Sequence, residues 1–306
     1  MLTLLIWFWL CLPKTLFNTP TSYILEDKNG ELLNATIAAD GQWRFPFNEK
    51  VPQKFIDCIT TFEDKRFFYH PGIDPIAFGR SVKKNLNGRG STQGGSTITM
   101  QVIRLSEKNN NRNIWNKLKE SILAMRLECR CTKKKILALY ASNAPFGGNV
   151  VGLDAAAWRY YGNSPDKLSW GQMATLAVLP NAPSLVHPGK NREALLRKRN
   201  GLLDKLLLEK KISKDDCELA KLEPLPGLPL PLPQNATHLF QRFKKENGGK
   251  MPATKIVTTI DNNLQKNVAT ILHQHQAALK GNGINNTCAL VLVLLQQFYR
   301  RNIQAS

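Results

Sequence analysis

The hydrophobic positions of this chain change rhythm along its length. Residues 1–12, Met-Leu-Thr-Leu-Leu-Ile-Trp-Phe-Trp-Leu-Cys-Leu, form an apolar run that stops at Pro13-Lys14. Residues 22–50 read as a short β-rich segment: pieces at 23–27 and 31–33 flank Lys28-Asn29-Gly30, a hairpin-turn signal. From 51 to 221 the period becomes helical. Phe55, Ile59 and Phe62 share one face behind Val51-Pro52, and Ile114, Leu118, Ile122 and Leu123 repeat the spacing. Residues 153–158 and 173–177 read as buried helices, and 193–211 as a charged amphipathic helix.

The clearest boundary is Leu222-Glu223-Pro224-Leu225-Pro226-Gly227-Leu228-Pro229-Leu230-Pro231-Leu232-Pro233. Prolines at this density cannot continue a helix, so 222–256 reads as an extended, semi-rigid linker; a ligand for a proline-binding module is the alternative. Beyond it, 255–261 predicts a strand, 263–279 a helix and 289–293 another strand. Strands without the rest of their sheet leave unpaired edges, so residues beyond about 257 are expected to be poorly ordered.

Hydrophobic residues make up 42% of the 306, enough for a packed core. The net charge of +19 suits a nucleic acid, an anionic membrane surface or a pyrophosphate. No recognition helix or aromatic platform accompanies the charge, which argues against nucleic acid. The six cysteines, Cys11, Cys58, Cys129, Cys131, Cys217 and Cys288, lack metal-site spacing and read as free, mostly buried thiols. The N-terminal run is shorter than the roughly 20 residues a spanning helix needs and has no cleavage site. It reads as a clipped membrane anchor at 1–13, or as an apolar segment lying in the interface; the Trp7 and Trp9 pair favours the anchor.

Two segments carry the candidate chemistry. The first is Phe62-Glu63-Asp64-Lys65-Arg66-Phe67-Phe68-Tyr69-His70-Pro71-Gly72, and the second Gly94-Gly95-Ser96-Thr97-Ile98-Thr99-Met100-Gln101. A carboxylate among aromatic rings is partly desolvated and becomes a better base; the alternative is a Glu63 paired with Lys65 or Arg66. Asp64 and His70 read as braces. Gly94-Gly95 allows a tight turn, with Ser96 as helix cap or ligand contact. Arg66, Arg80, Arg104, Arg112 and Lys117 add positive charge, and Lys117 and Glu120 share one helix face.

These segments resemble the first two motifs of the peptidoglycan glycosyltransferases, the polymerising domain of bifunctional penicillin-binding proteins. A third is similar in Asn116-Lys117-Leu118-Lys119-Glu120, a fourth in Lys133-Lys134-Lys135-Ile136-Leu137-Ala138-Leu139-Tyr140, and a fifth in Lys198-Arg199-Asn200-Gly201-Leu202-Leu203. Residues 142–152 and 179–184 resemble the 1C branch of the family. Residues 257–265 resemble the start of its transpeptidase domain.

The resemblance implies a mainly α, lysozyme-like glycosyltransferase domain at 51–221, then the proline-rich linker and an incomplete α/β transpeptidase stub at 257–306. No Lys-Thr-Gly follows, so penicillin acylation is not expected. It further implies that Glu63 deprotonates the 4-hydroxyl of lipid II. That oxygen attacks C1 of the lipid-linked growing glycan with inversion, and undecaprenyl pyrophosphate leaves. Glu120 is the second catalytic carboxylate. Arg66, Phe67, Arg80, Ser96, Thr97, Gln101, Arg104, Arg112 and Lys117 line the donor and acceptor sites. No cofactor is required; a divalent metal such as Mg is compatible. The implied partners are lipid II, the growing glycan, the membrane and cell-wall synthesis proteins, with no nucleic acid. The implied location is the inner membrane, with the catalytic domain on the periplasmic side. A glycan- or lipid II-binding remnant without activity and a lysozyme-like lytic hydrolase are the rival readings. Within the motifs, Met100, Asn116, Ser142 and Gln172 depart from the family pattern.

Overall fold

The computed structural model describes residues 8–77, 79, 95–107, 113–181, 189, 191–247 and 254–291. Its core is helical and grows around one apolar helix. We number the helices α1 (Gln53–Glu63), α2 (Ile98–Glu107), α3 (Ile114–Arg130), α4 (Lys133–Asn143), α5 (Leu153–Tyr161), α6 (Trp170–Val178), α7 (Arg192–Leu208), α8 (Lys214–Leu222), α9 (Thr237–Glu246) and α10 (Asn262–Leu279). Met173, Ala174, Leu176, Ala177 and Val178 make α6 apolar all round, which suits a helix enclosed by others. It packs on α1, α7, α8 and α5. Its start is fixed by a capping box: Ser169 Oγ accepts from Gln172 N–H and Gln172 Oε1 accepts from Ser169 N–H. The departure at Gln172 is thus structurally complete, since glutamine serves this box as glutamate does. On the other side, α2 packs on both α3 and α4.

The helical period reads α1 correctly, with Phe55 and Ile59 fully buried. In α3 the buried stripe is phased differently. Glu120, Leu123, Ala124 and Leu127 face inward, while Leu118 is 52% exposed. The charged helix α7 buries Leu195, Leu202, Leu203 and Leu206, and with them Arg199 at 0% exposure. Arg199 donates to Lys221 O at 2.8 Å and Glu223 O at 2.6 Å. It thereby satisfies carbonyls at the C-terminal end of α8 that would otherwise be orphaned.

The strands are β1 (Ile24–Glu26), β2 (Leu32–Ala35), β3 (Trp43–Arg44), β4 (Val150–Val151) and β5 (Lys255–Val257). The expected hairpin forms, with β1 and β2 antiparallel and Ile24 opposite Ala35. Asp27 holds its turn by accepting from the N–H groups of Asn29 (2.7 Å) and Glu31 (2.8 Å).

Beyond residue 222 the chain departs from expectation. The proline-rich stretch lies against the domain: Leu230 N–H donates to Arg159 O, and Leu232 is buried. The expected linker also contains α9. Strand β5 pairs in parallel with β1, giving the order β2-β1-β5. Leu25 and Leu33 from the hairpin and Ala236 and Phe240 from the α9 region form a second small core. One edge of β5 is therefore paired and its other edge has no strand partner among the described residues; Asp261 caps α10 just after it. Residues 289–291, expected as strand, are exposed and form no strand, and 292–306 lie outside the described residues. Two of the six cysteines, Cys58 and Cys217, are buried, fewer than expected, and all six are free. Among the described residues no helix is long and apolar enough to cross a membrane. Residues 1–7 of the expected anchor are outside them; Trp9 packs on the Arg126 guanidinium at 4.3 Å.

Candidate active site

The two motifs meet through a knot of polar contacts. Glu63 ends α1, and Asp64 turns inward beneath it. The Asp64 carboxylate accepts from His70 Nε2 at 3.0 Å and from Ile98 N–H at 3.0 Å. Gly72 N–H donates to His70 Nδ1 at 3.1 Å, which puts the ring proton on Nε2, facing Asp64. Thr97 Oγ1 donates to Gly72 O at 2.6 Å and accepts from Met100 N–H, so Thr97 rather than Ser96 caps α2. Asp64 and Thr97 together satisfy the first N–H groups of α2. That aligns α2 so that Gln101, one turn further on, reaches the catalytic candidate.

Gln101 Nε2 donates to Glu63 Oε2 at 2.9 Å. Asn181 Nδ2 donates to Glu63 Oε1 at 3.1 Å, and Asn181 Oδ1 accepts from Lys198 Nζ at 2.9 Å. The half-buried Glu63 thus carries one amide donor on each oxygen. Its expected alternative partners are engaged elsewhere: Lys65 with Glu209 at 2.7 Å, and Arg66 with Asp74 through two contacts, one of them Nε to Oδ2 at 3.0 Å. Burial pushes the Glu63 carboxyl above the usual carboxylate range. The Gln101 and Asn181 donors and the charges of Arg104 and Lys198 oppose that rise without cancelling it.

The other expected site residues divide. Gln101 and Arg104 stand with Glu63. Glu120 is buried on α3, and Lys117 is half-buried one turn before it. Ser96 is half-buried just ahead of α2. Phe67, expected to line the site, is fully buried core; Phe68 packs edge-on to its ring and Lys133 Nζ lies 4.5 Å from its centroid. Arg66 is committed to Asp74, whose carboxylate also accepts from Ile76 and Ala77 N–H. Thr97 is buried in the cap. Arg80 and Arg112 lie outside the described residues. Among the described residues no group of three His, Cys, Asp or Glu side chains could hold a metal ion.

Asn181 and Lys198 were missed as site residues. Lys198 had a signal, the basic pair opening the fifth motif. Asn181 had only its place in a segment read as a branch marker. Tyr140, in the fourth motif, is also close electrostatically. Burial pushes its phenol up, the Glu63 carboxylate adds to that, and Arg104 opposes it. Its hydroxyl is buried and finds no hydrogen-bond partner among the described residues. A buried unpaired hydroxyl costs about 1–3 kcal/mol. Tyr140→Phe should therefore leave the thermal midpoint unchanged or raise it, as read by a melting curve; a fall of several degrees would mean that the hydroxyl makes a stabilising hydrogen bond.

A helical core presenting a glutamate raised by burial, with an amide on each oxygen and cations nearby, suits acid–base chemistry. Residues 29–207 match the Transglycosylase family, and the chain belongs to it, within the glycosyltransferases. Among its relatives, it is similar to penicillin-binding protein 1C of Escherichia coli (strain K12), at 33% identity over 268 residues, covering 87% of this chain and 34% of that protein. It is also similar to penicillin-binding protein 1A of Haemophilus influenzae, at 37% identity over 175 residues, covering 57% of this chain and 20% of that protein. A third relative is penicillin-binding protein 1A of Aquifex aeolicus, at 36% over 177 residues, 58% and 24%. The chain thus spans about a third or less of the length of these relatives.

Proposed function

We propose that this chain polymerises lipid II into β-1,4 glycan strands at the inner membrane, on its periplasmic side. The observation that carries the reading is the setting of Glu63. It is oriented by neutral donors, has no direct cation partner among the described residues, and is raised by burial. A carboxylate tied directly to a cation would be a poor base. Burial makes this one a stronger proton acceptor than an ordinary carboxylate. In the reading, Glu63 takes the proton from the 4-hydroxyl of the acceptor as that oxygen attacks C1 of the donor. The C1–O bond to undecaprenyl pyrophosphate breaks with inversion. Arg104 and Lys117 meet the charge that develops on the leaving group, with Glu120 assisting near it. A divalent ion such as Mg, were one to take part, would supply positive charge to the leaving pyrophosphate.

The membrane part of the reading is supported by exposed apolar side chains on or beside the motifs: Phe68 and Tyr69 within the first and Ile76 after it, Trp115 (77% exposed) just before the third and Leu118 within it. Trp115→Glu with Leu118→Glu should lower co-sedimentation with lipid vesicles by about tenfold or more, since each apolar side chain lost from the interface removes roughly 1.5–3 kcal/mol. Unchanged sedimentation would remove these residues from the membrane face.

The test of function is incubation of the detergent-solubilised chain with labelled lipid II, and separately with purified cell-wall sacculi. Polymer from lipid II supports the reading. Release of fragments from sacculi without polymer would make the chain a lytic hydrolase. Saturable binding with neither would make it a remnant.

A further inference from the structure

Asn181 closes the 3-10 turn Leu179–Asn181 that continues α6, and its side chain is exposed. It touches Glu63 Oε1 with its NH2 group and Lys198 with its carbonyl oxygen. Only a side chain that both donates and accepts can do this. A carboxylate could bind the lysine but not donate to Glu63, and an apolar side chain could do neither.

The amide has two consequences. With Gln101 on Oε2 and Asn181 on Oε1, the Glu63 carboxylate is held from two elements, and rotation about its terminal bond would break both hydrogen bonds. Each oxygen keeps a second lone pair for an incoming hydroxyl. The amide also stands between Lys198 and Glu63. A lysine closing directly on the glutamate would favour its ionised form strongly and weaken it as a base. Here the cation is held one side chain away. The groups facing Glu63 among the described residues are Gln101 and Arg104 from α2, Tyr140 from α4, Asn181 from the turn after α6, and Lys198 from α7 through Asn181.

We propose that Asn181 is a positioning residue for the base: it fixes the Glu63 carboxylate together with Gln101 and spaces Lys198 from it. The inference rests on Glu63 acting as the base of the proposed polymerase.

The test compares the parent with Asn181→Leu, Asn181→Asp and Glu63→Gln, all in the full chain, with labelled lipid II from about pH 5 to about pH 9. Asn181→Leu removes a donor from a carboxylate. It should lower kcat about tenfold, leave KM within about twofold, and move the acid limb of the rate profile up by about one pH unit. Asn181→Asp, nearly isosteric, sets a second carboxylate beside the first and should move the limb further up. Because position 181 is exposed, both variants should fold, and a melting curve checks each. An acid limb that stays in place in both variants overturns the proposal. Leucine keeps the bulk that holds Lys198 away, so a limb that moves down in Asn181→Leu would mean that the lysine, and not the lost donor, governs Glu63, and this overturns the proposal too. A rise in KM with kcat unchanged also overturns it, making Asn181 a substrate contact. The Glu63→Gln control separates two failures. If that variant polymerises like the parent, the base assignment falls; if it is inactive while both Asn181 variants match the parent, only the role of Asn181 falls.

Discussion

Glu63→Gln should leave the chain folded and slow glycan polymerisation by about 10²- to 10⁴-fold, the usual contribution of a positioned general base. Glutamine keeps the shape of the side chain. Its oxygen can still accept from either Gln101 or Asn181, though its NH2 must then face the other donor. That mismatch costs about 1–3 kcal/mol at a half-buried site, so the fold survives while the base is gone. The pH profile gives a second readout. The parent's base must be ionised to work, and burial has raised its pKa. The parent rate should therefore fall as pH drops through a value above the ordinary carboxylate range, and residual activity in the variant should lack that limb. Polymer from Glu63→Gln at more than about a tenth of the parent rate would move the base elsewhere, with buried Glu120 the first candidate.

Much of the helical core was legible because its signals are local. The face of Phe55 and Ile59 announces α1, and the apolar run of α6 announces a central helix. The hairpin was equally local, since Asp27 and Gly30 shape its turn within a few residues. What could not be read depends on contacts between distant parts of the chain. Asp64 caps a helix that begins at Ile98, so the two motifs form one knot, yet neither contains a sign of the other. The phase of α3 was misread because Leu118 sits on its exposed side, whereas the polar Glu120 is buried; hydrophobic spacing alone cannot anticipate a buried carboxylate. Arg199 looked like a surface charge in a charged helix and proved to be a buried clasp for α8. The parallel pairing of β5 with β1 joins residues more than two hundred apart in sequence, and such register leaves no local trace. Asn181 was invisible for a chemical reason. A lone asparagine after a helix reads as a turn residue, and only the positions of Glu63 and Lys198 give it a role.

Gly72→Ala should be the most destabilising single-methyl change near the site. Gly72 has φ of +98°, a conformation that costs an L-residue roughly 1–2 kcal/mol. A Cβ there would lie 2.8 Å from both the carbonyl carbon and oxygen of Ala124 and 2.9 Å from Met125 N. These are backbone atoms of α3, which cannot swing aside as a side chain can. Overpacking of this kind adds about 1–3 kcal/mol. Together the effects predict a loss of roughly 2–5 kcal/mol, and a melting temperature lower by about 5–15 °C. Gly41→Ala is the internal comparison. Gly41 also has positive φ, +74°, but a Cβ there would meet nothing within 4 Å, so it should show the conformational cost of about 1–2 kcal/mol without the clash. Equal melting temperatures for the two variants would mean that α3 yields easily to Gly72. The expected difference ties stability to function, because the same glycine donates to His70 and accepts from Thr97. Pushing it off α3 loosens the contacts through which Asp64 aligns α2, and hence Gln101, with Glu63. Gly72→Ala should then lose polymerisation at temperatures where melting curves still show it folded, whereas Gly41→Ala should not.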